Sequence, residues 1–331
     1  MRIFLLLAVA SVLSACAVPS KHSKEQGVAS VSLNTLYDVH VLSSQTKKAV
    51  SIQALAHELR DVDVVFIGEY HGNHGSHWLQ AQLQAALYQQ RPQQMVSMEQ
   101  FSRDQQPVLN QYLKGKQGEV SLLKQAGIWP NYKASYRPVV EFAKQHQLPV
   151  IAANAPAGVV RCIGRQGEGY LKKLSKQQRQ QLAKQPFNND AAYQQAFQKI
   201  MHQPSGKQGS SSARLSNSYL AQLSRDNTMA ESIAQAMKTA PDAQLIHLNG
   251  AFHSDQGLGT VALLKQRLPH LKVKVISPVK YEDGQIMAAL PYQQGDYIYL
   301  VQPQPKQYVS DTERADAFRA MFAKASKKVC Q

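Results

Sequence analysis

Beyond its first dozen residues, the sequence has no stretch approaching the ~18 uninterrupted apolar residues that a bilayer-spanning helix requires. It also contains no nucleophile elbow, no P-loop and no dinucleotide fingerprint, so the signatures of several common reaction classes are missing. There is no internal repeat and no collagen-like or low-complexity bias. With 44% apolar residues, the composition is that of an ordinary globular protein. Cysteine is scarce: three in 331 residues, at positions 16, 162 and 330. Acidic residues are few as well, 22 against 37 Lys and Arg, and the formal net charge is +15. That balance admits nucleic acid, anionic lipid or acidic ligands as partners.

The N-terminus narrows the choice. Arg2 supplies a positive n-region, and Ile3 to Val12 form an apolar run of about ten residues, the length of a signal-peptide h-region. Leu13-Ser14-Ala15-Cys16 then reads as a lipobox. Residues 1–15 are therefore expected to be a lipoprotein signal peptide, cut before Cys16. Lipid on that cysteine, a diacylglycerol and a further palmitate-type chain, would anchor the protein to a membrane, because each buried CH₂ contributes about 0.8 kcal/mol. Ala17 follows Cys16 where an aspartate would favour inner-membrane retention, so the outer membrane of the cell envelope is expected. Export argues against nucleic acid. The lysines are scattered beside glutamines and read as a solvated basic face. In an oxidising compartment Cys162 and Cys330 are able to pair, but their sequence positions do not say whether they do.

Residues 16–32 are polar, small and aperiodic, and read as a flexible tether. Strands are expected at Leu36–Leu42, Val62–Ile67, Gln94–Met98, Pro149–Ala153, Gln244–Leu248, Val273–Ile276 and Tyr297–Val301. Helices are expected at Ser51–Leu59, His77–Tyr88, Pro107–Leu113, Tyr136–Gln145 and Val261–Arg267. Strands alternating with amphipathic helices predict an α/β fold, a mostly parallel sheet flanked by helices. Residues 166–225 break the rhythm, with helices at Ser175–Lys184, Asp190–His202 and Ser218–Met237 and a loop at Gln203–Ser212. They read as a smaller all-helical insertion into a body of residues 33–165 and 226–305. A polar, basic tail at 306–331 carries one helix, Thr312–Lys328.

Chemistry is expected beyond the carboxyl ends of the strands, where open parallel sheets bind ligands. Four strand ends run into Gly68-Glu69-Tyr70-His71, Met98-Glu99-Gln100-Phe101, Asn154-Ala155-Pro156 and Asn249-Gly250-Ala251-Phe252-His253. The candidate cluster is Glu69, His71, His77, Glu99, Asn154 and His253. The glycines at 68, 72 and 75 favour backbone approach to something bound, and a carboxylate at the end of an apolar strand needs a partner. Glu69, His71, Glu99 and His253 would suit a divalent metal such as Zn or Mn, which would activate a water. Without metal, a Glu–His pair acts as a general base and its orienter. Both point to a hydrolase.

At these residues the sequence resembles the ChaN-like haem-binding lipoproteins of the Tiki superfamily. The resemblance rests on Gly68-Glu69-x-His71 with His77, Met98-Glu99-x-Phe101, Trp129 with Tyr136, the run Pro149 to Pro156, Arg225-Asp226-x-x-Met229-Ala230 and Asn249-Gly250-x-x-His253. It implies an α/β body with a smaller helical domain, haem binding for iron acquisition, and subunits that pair as a homodimer with haem between them. An outer-membrane haem or iron receptor would be a further partner. A tyrosine phenolate suits ferric iron, and a nearby His or Arg stabilises it. Tyr219 is the first candidate, with Tyr193 and Tyr170 as alternates, and Arg214 and Arg225 would pair with the propionates. Related branches include metal-dependent proteases and esterase-like enzymes, which keeps the metal-hydrolase reading as the alternative.

Overall fold

The computed structural model describes residues 31–201, 212–282, 284–327 and 329–330. The expected signal peptide, Cys16 and nearly all of the tether lie outside these residues, as does most of the 203–212 loop. Ser32–Gln331 cluster as one compact unit.

Its centre is a seven-stranded sheet of β1 (His40–Ser43), β2 (Val64–Glu69), β3 (Gln94–Ser102), β4 (Val150–Asn154), β5 (Gln244–Gly250), β6 (Val273–Lys280) and β7 (Tyr297–Val301). Their order is β1-β7-β6-β2-β5-β3-β4. Only the edge strand β1 is antiparallel, paired to β7, and every other neighbouring pair is parallel. The expected α/β class is therefore what forms. The first strand begins later than Leu36 because Asp38 holds the preceding chain in a turn, its Oδ2 accepting from Asn34 N at 2.7 Å and Thr35 N at 3.1 Å.

Side chains alternate across the pleat and so feed two cores. Val65, Ile67, Val96 and Met98 join one cluster, while Val64, Phe66, Met95 and Leu245 join the other. Burial on both faces explains why these strands read as continuous apolar runs. Helix starts follow local capping. Ser51 Oγ accepts from Ala54 N, opening the helix Ile52–Glu58. Asn73 Oδ1 accepts from Ser76 N at 2.9 Å and starts the next helix at His74 rather than at His77.

Between β4 and β5 the described residues form helices only: Ala157–Gln166, Glu168–Lys173, Lys176–Gln180, Ala191–Met201 and Ser212–Thr239. The last, 28 residues long, runs through position 225 and reaches the sheet, where Ser232 Oγ donates to Ala153 O at 3.0 Å. The helical segment and the body thus share this element. Cys162 and Cys330 are joined in a disulfide with 5.6 Å between their Cα atoms, which ties the C-terminus to the helix Ala157–Gln166.

Candidate functional site

Strand order assembles the site. β2, β5, β3 and β4 are consecutive neighbours, and all four are parallel, so their carboxyl ends open on one rim. Glu69 ends β2, Glu99 lies just past the last paired residue of β3 against β5, Asn154 ends β4, and Gly250 ends β5 ahead of the 3₁₀ turn Ala251–His253.

Glu69 is 2% exposed and surrounded by donors. Its Oε1 accepts from His71 Nδ1 at 2.7 Å and from the Tyr136 hydroxyl at 2.6 Å, and its Oε2 accepts from Gln80 Nε2 at 2.7 Å. Burial alone would raise this carboxyl, but the His71 hydrogen bond and the nearby imidazoles hold it below the usual range. His71 is the more open partner, with 46% of its side chain exposed and its ring edge-on to Trp129 at 5.0 Å. Burial works against its charge, and Glu69 and Glu99 more than compensate, so its pKa is raised.

The second pair is buried deeper. Glu99 Oε2 accepts from Gly250 N at 2.6 Å, and Oε1 faces His253 Nε2 at 3.3 Å. His253 Nδ1 donates to Asp226 Oδ1 at 2.7 Å. Held between two carboxylates, and despite its burial, His253 is raised to about 10 and carries a proton at neutral pH. Asp226 is fully buried; it also accepts from Thr260 Oγ1 at 2.7 Å and from the Tyr193 hydroxyl at 2.8 Å. Glu99 is correspondingly held well below the carboxylate range: burial would raise it, and His253 outweighs that.

The two pairs meet above Gly250. A Cβ there would lie 2.9 Å from both Cε1 and Nε2 of His71 and 3.6 Å from Glu99 Oε2. Only a residue without a Cβ lets the His71 ring pack this closely on the end of β5 beside Glu99.

Glu69, His71, Glu99 and His253 converge on the rim, His77 and Asn154 lie behind them in contact with Glu69 and Glu99, and the expected tyrosines and arginines have other surroundings. His77 is 5% exposed, and its Nε2 accepts from Gly72 N at 3.1 Å, so it braces the loop behind Glu69. Burial pushes its pKa down, in keeping with that acceptor role. Asn154 fixes the rim's backbone, donating to Glu99 O at 2.9 Å. Among the described residues, no group of three or more His, Cys, Asp or Glu side chains is placed to hold a metal. The expected metal set is instead divided into two hydrogen-bonded pairs whose lone pairs serve each other. The candidate iron tyrosines are packed inside. Tyr193 is 1% exposed, stacks on Phe252, and donates a hydrogen bond from its hydroxyl to Asp226. Tyr219 is 8% exposed, and its hydroxyl donates to Asn189 Oδ1 at 2.5 Å. Tyr170 lies in the helical cluster around Cys162. Burial raises the pKa of both Tyr193 and Tyr219, which opposes a phenolate. Arg214 is exposed and Arg225 half-buried.

Asp226, Gln80 and Gly250 were not singled out from sequence as site residues. Asp226 did carry a signal, as an acid on what becomes the buried face of a helix. His247 on β5 was also missed; it is fully buried, bonded to Ser97 Oγ at 2.9 Å, and pushed down to about 3 by burial.

A sequence model of the family described as haem-binding uptake, Tiki superfamily, ChaN matches residues 55–264. The chain belongs to this family. Among solved structures it is similar to ChaN of Campylobacter jejuni, described as binding haem cofacially, with 17% identity over 80% of this chain and 98% of that one and a TM-score of 0.61. An erythromycin esterase in its open conformation matches at 13% identity over 73% of this chain and 76% of that one, with a TM-score of 0.43. No curated protein sequence matches. The ChaN-like match takes in the Glu69, His71, Glu99, Asp226 and His253 positions.

Proposed function

We propose that this ChaN-like chain binds ferric haem at the rim above Gly250 and serves haem or iron acquisition as a lipid-anchored protein of the cell envelope, at the outer membrane. The observation that carries the site is the open imidazole of His71, held by a buried carboxylate and packed on the glycine that ends β5. A carboxylate that takes the Nδ1 proton of a histidine orients its Nε2 and makes it a better donor, as in metal-bound histidines. Haem fits this arrangement: His71 would hold the iron through its second ring nitrogen, and Trp129 lies edge-on beside the ring. The iron is assigned to His71 in preference to the expected tyrosines, whose hydroxyls are spent inside the protein. Bound haem would contribute a Lewis-acidic ferric centre, while the chain binds, orients and shields it. The lipobox supports the anchor, and the Cys162–Cys330 disulfide suits an oxidising compartment. Pairing of two copies over an open-faced haem, and hand-over from an outer-membrane receptor, belong to the same reading.

The test is a hemin titration of the mature chain. A saturable Soret shift is expected, weakened at least tenfold in His71→Ala and unaffected in Tyr219→Phe. A wild-type spectrum equal to that of free hemin would refute haem binding.

One observation favours a second reading, a metal-free hydrolase. His71, half exposed and oriented by Glu69, lies near Glu99 at the end of β5, so a water reaching the rim there would meet a general base with a second carboxylate close by. Ester hydrolysis lost in His71→Ala and untouched by chelator would support it.

A further inference from the structure

The last stretch of the chain is tied down on both sides of the rim. β7 ends at Val301 on the same edge of the sheet as β2, with β6 between them. By Gln304 the chain has reached the loop after β2: Asn73 Nδ2 donates to Gln302 O at 3.2 Å, and Gln304 Nε2 donates to His71 O at 3.3 Å. The other tie is covalent. Cys330 is bonded to Cys162 and packs on the cluster of Val159, Ile163 and Tyr170 around the helix Ala157–Gln166, which begins just past the end of β4. The two ties therefore stand at opposite ends of the row β2-β5-β3-β4, whose carboxyl ends carry the rim. The residues between Gln304 and Cys330 bridge them.

The bridge is a helix whose start is encoded locally. Ser310 Oγ accepts from Glu313 N at 3.1 Å, Glu313 Oε2 accepts from Val309 N at 2.7 Å, and the helix Asp311–Ser326 follows. Its 16 residues measure ~24 Å. Three strand spacings separate β2 from β4, ~14 Å in all. The helix is thus long enough to span the row of strand ends, and the residues on either side of it leave slack. None of its described side chains is buried. Phe318 and Met321, one turn apart and so on one face, are 42% and 52% exposed, and the Tyr308 ring lies 6.2 Å from that of Phe318. Apolar side chains held in water gain by meeting an apolar surface.

We propose that residues 305–330 form a strap across the mouth of the rim, open in the ligand-free chain and closing with Phe318 and Met321 over an apolar, planar ligand seated beside His71. The haem reading supplies that ligand, and the strap rests on it. The half-exposed His71 ring belongs to the open position. Two ties keep the helix near the mouth at high effective concentration, so closure needs little ordering and a trapped ligand leaves only when the strap lifts. A closed strap covers the face that a second copy would meet, so closure and pairing alternate.

Hemin release from the full mature chain, followed at the Soret band as excess apomyoglobin captures the hemin, reads the strap. Phe318→Ser/Met321→Ser keeps the disulfide and changes exposed positions only, with folding checked by far-UV circular dichroism. It is expected to release hemin at least tenfold faster than wild type, the scale of losing apolar cover from two side chains. Cys330→Ser, which frees one end of the strap, should also release faster. A folded Phe318→Ser/Met321→Ser chain with the wild-type rate would overturn the strap while leaving the haem site standing. A wild-type rate that falls as protein concentration rises would mean that a second copy covers the ligand, and would overturn it too. A wild-type spectrum equal to that of free hemin would overturn the haem reading, and the strap with it.

Discussion

Replacing His253 with glutamine removes the cation held directly between Glu99 and Asp226, and its effect can be worked out from the geometry. The imidazole is 9% exposed, 2.7 Å from Asp226 and 3.3 Å from Glu99, and its pKa rises from 6.5 to about 10. A group whose pKa is raised on folding contributes stability that is fully present below its unfolded value and is lost as pH climbs to the folded one. Each pH unit in that window is worth about 1.4 kcal/mol. Protonated His253 therefore contributes on the order of 4–5 kcal/mol below pH ~6.5. About 3 kcal/mol of this should be gone by pH 9. Urea unfolding at pH 6.5 and pH 9, with the disulfide intact, reads this directly. Wild type should lose about 3 kcal/mol between the two conditions through this group, and His253→Gln should lack that loss. His71 titrates in the same direction, but it is present in both proteins and largely cancels in the difference. Equal pH slopes for the two proteins would mean that His253 is neutral in the fold, and the account of this pair would fail.

Three further outcomes are expected. Reducing Cys162–Cys330 opens a loop spanning 168 positions and should cost up to about 5 kcal/mol by chain entropy, seen as a lower urea midpoint with dithiothreitol; an unchanged midpoint would show that the cross-link stabilises nothing. Gly250→Ala should displace the His71 ring, which a Cβ would meet at 2.9 Å, and lower hemin affinity at least tenfold in a folded protein. Hemin binding needs a neutral His71, whose pKa the carboxylates raise, so affinity should fall as pH drops through that raised value and be flat in His71→Ala; a wild-type affinity that does not change with pH would move the iron to another donor.

Much of this protein is written locally. Strand segments such as Val64–Ile67 declare themselves through short β-branched runs, and helix starts through caps such as Ser51, because backbone preference and capping act over a few residues. The acids and imidazoles after each strand were legible for the same reason: each follows its own strand in sequence. Which of them meet depends on strand order. β5 is inserted between β2 and β3, and only that topology brings Gly250 and His253 between Glu69 and Glu99. Packing alone decided that Tyr193 and Tyr219 turn inward, that His77 braces a loop, and that Asp226 reaches His253 from the middle of a long helix. The joining of Cys162 to Cys330 was closed to sequence as well, since a cross-link is set by the distance between Cα atoms and not by separation along the chain. Residue type and local spacing determine which groups are on offer; burial and long-range register determine which partner each receives, and so its charge.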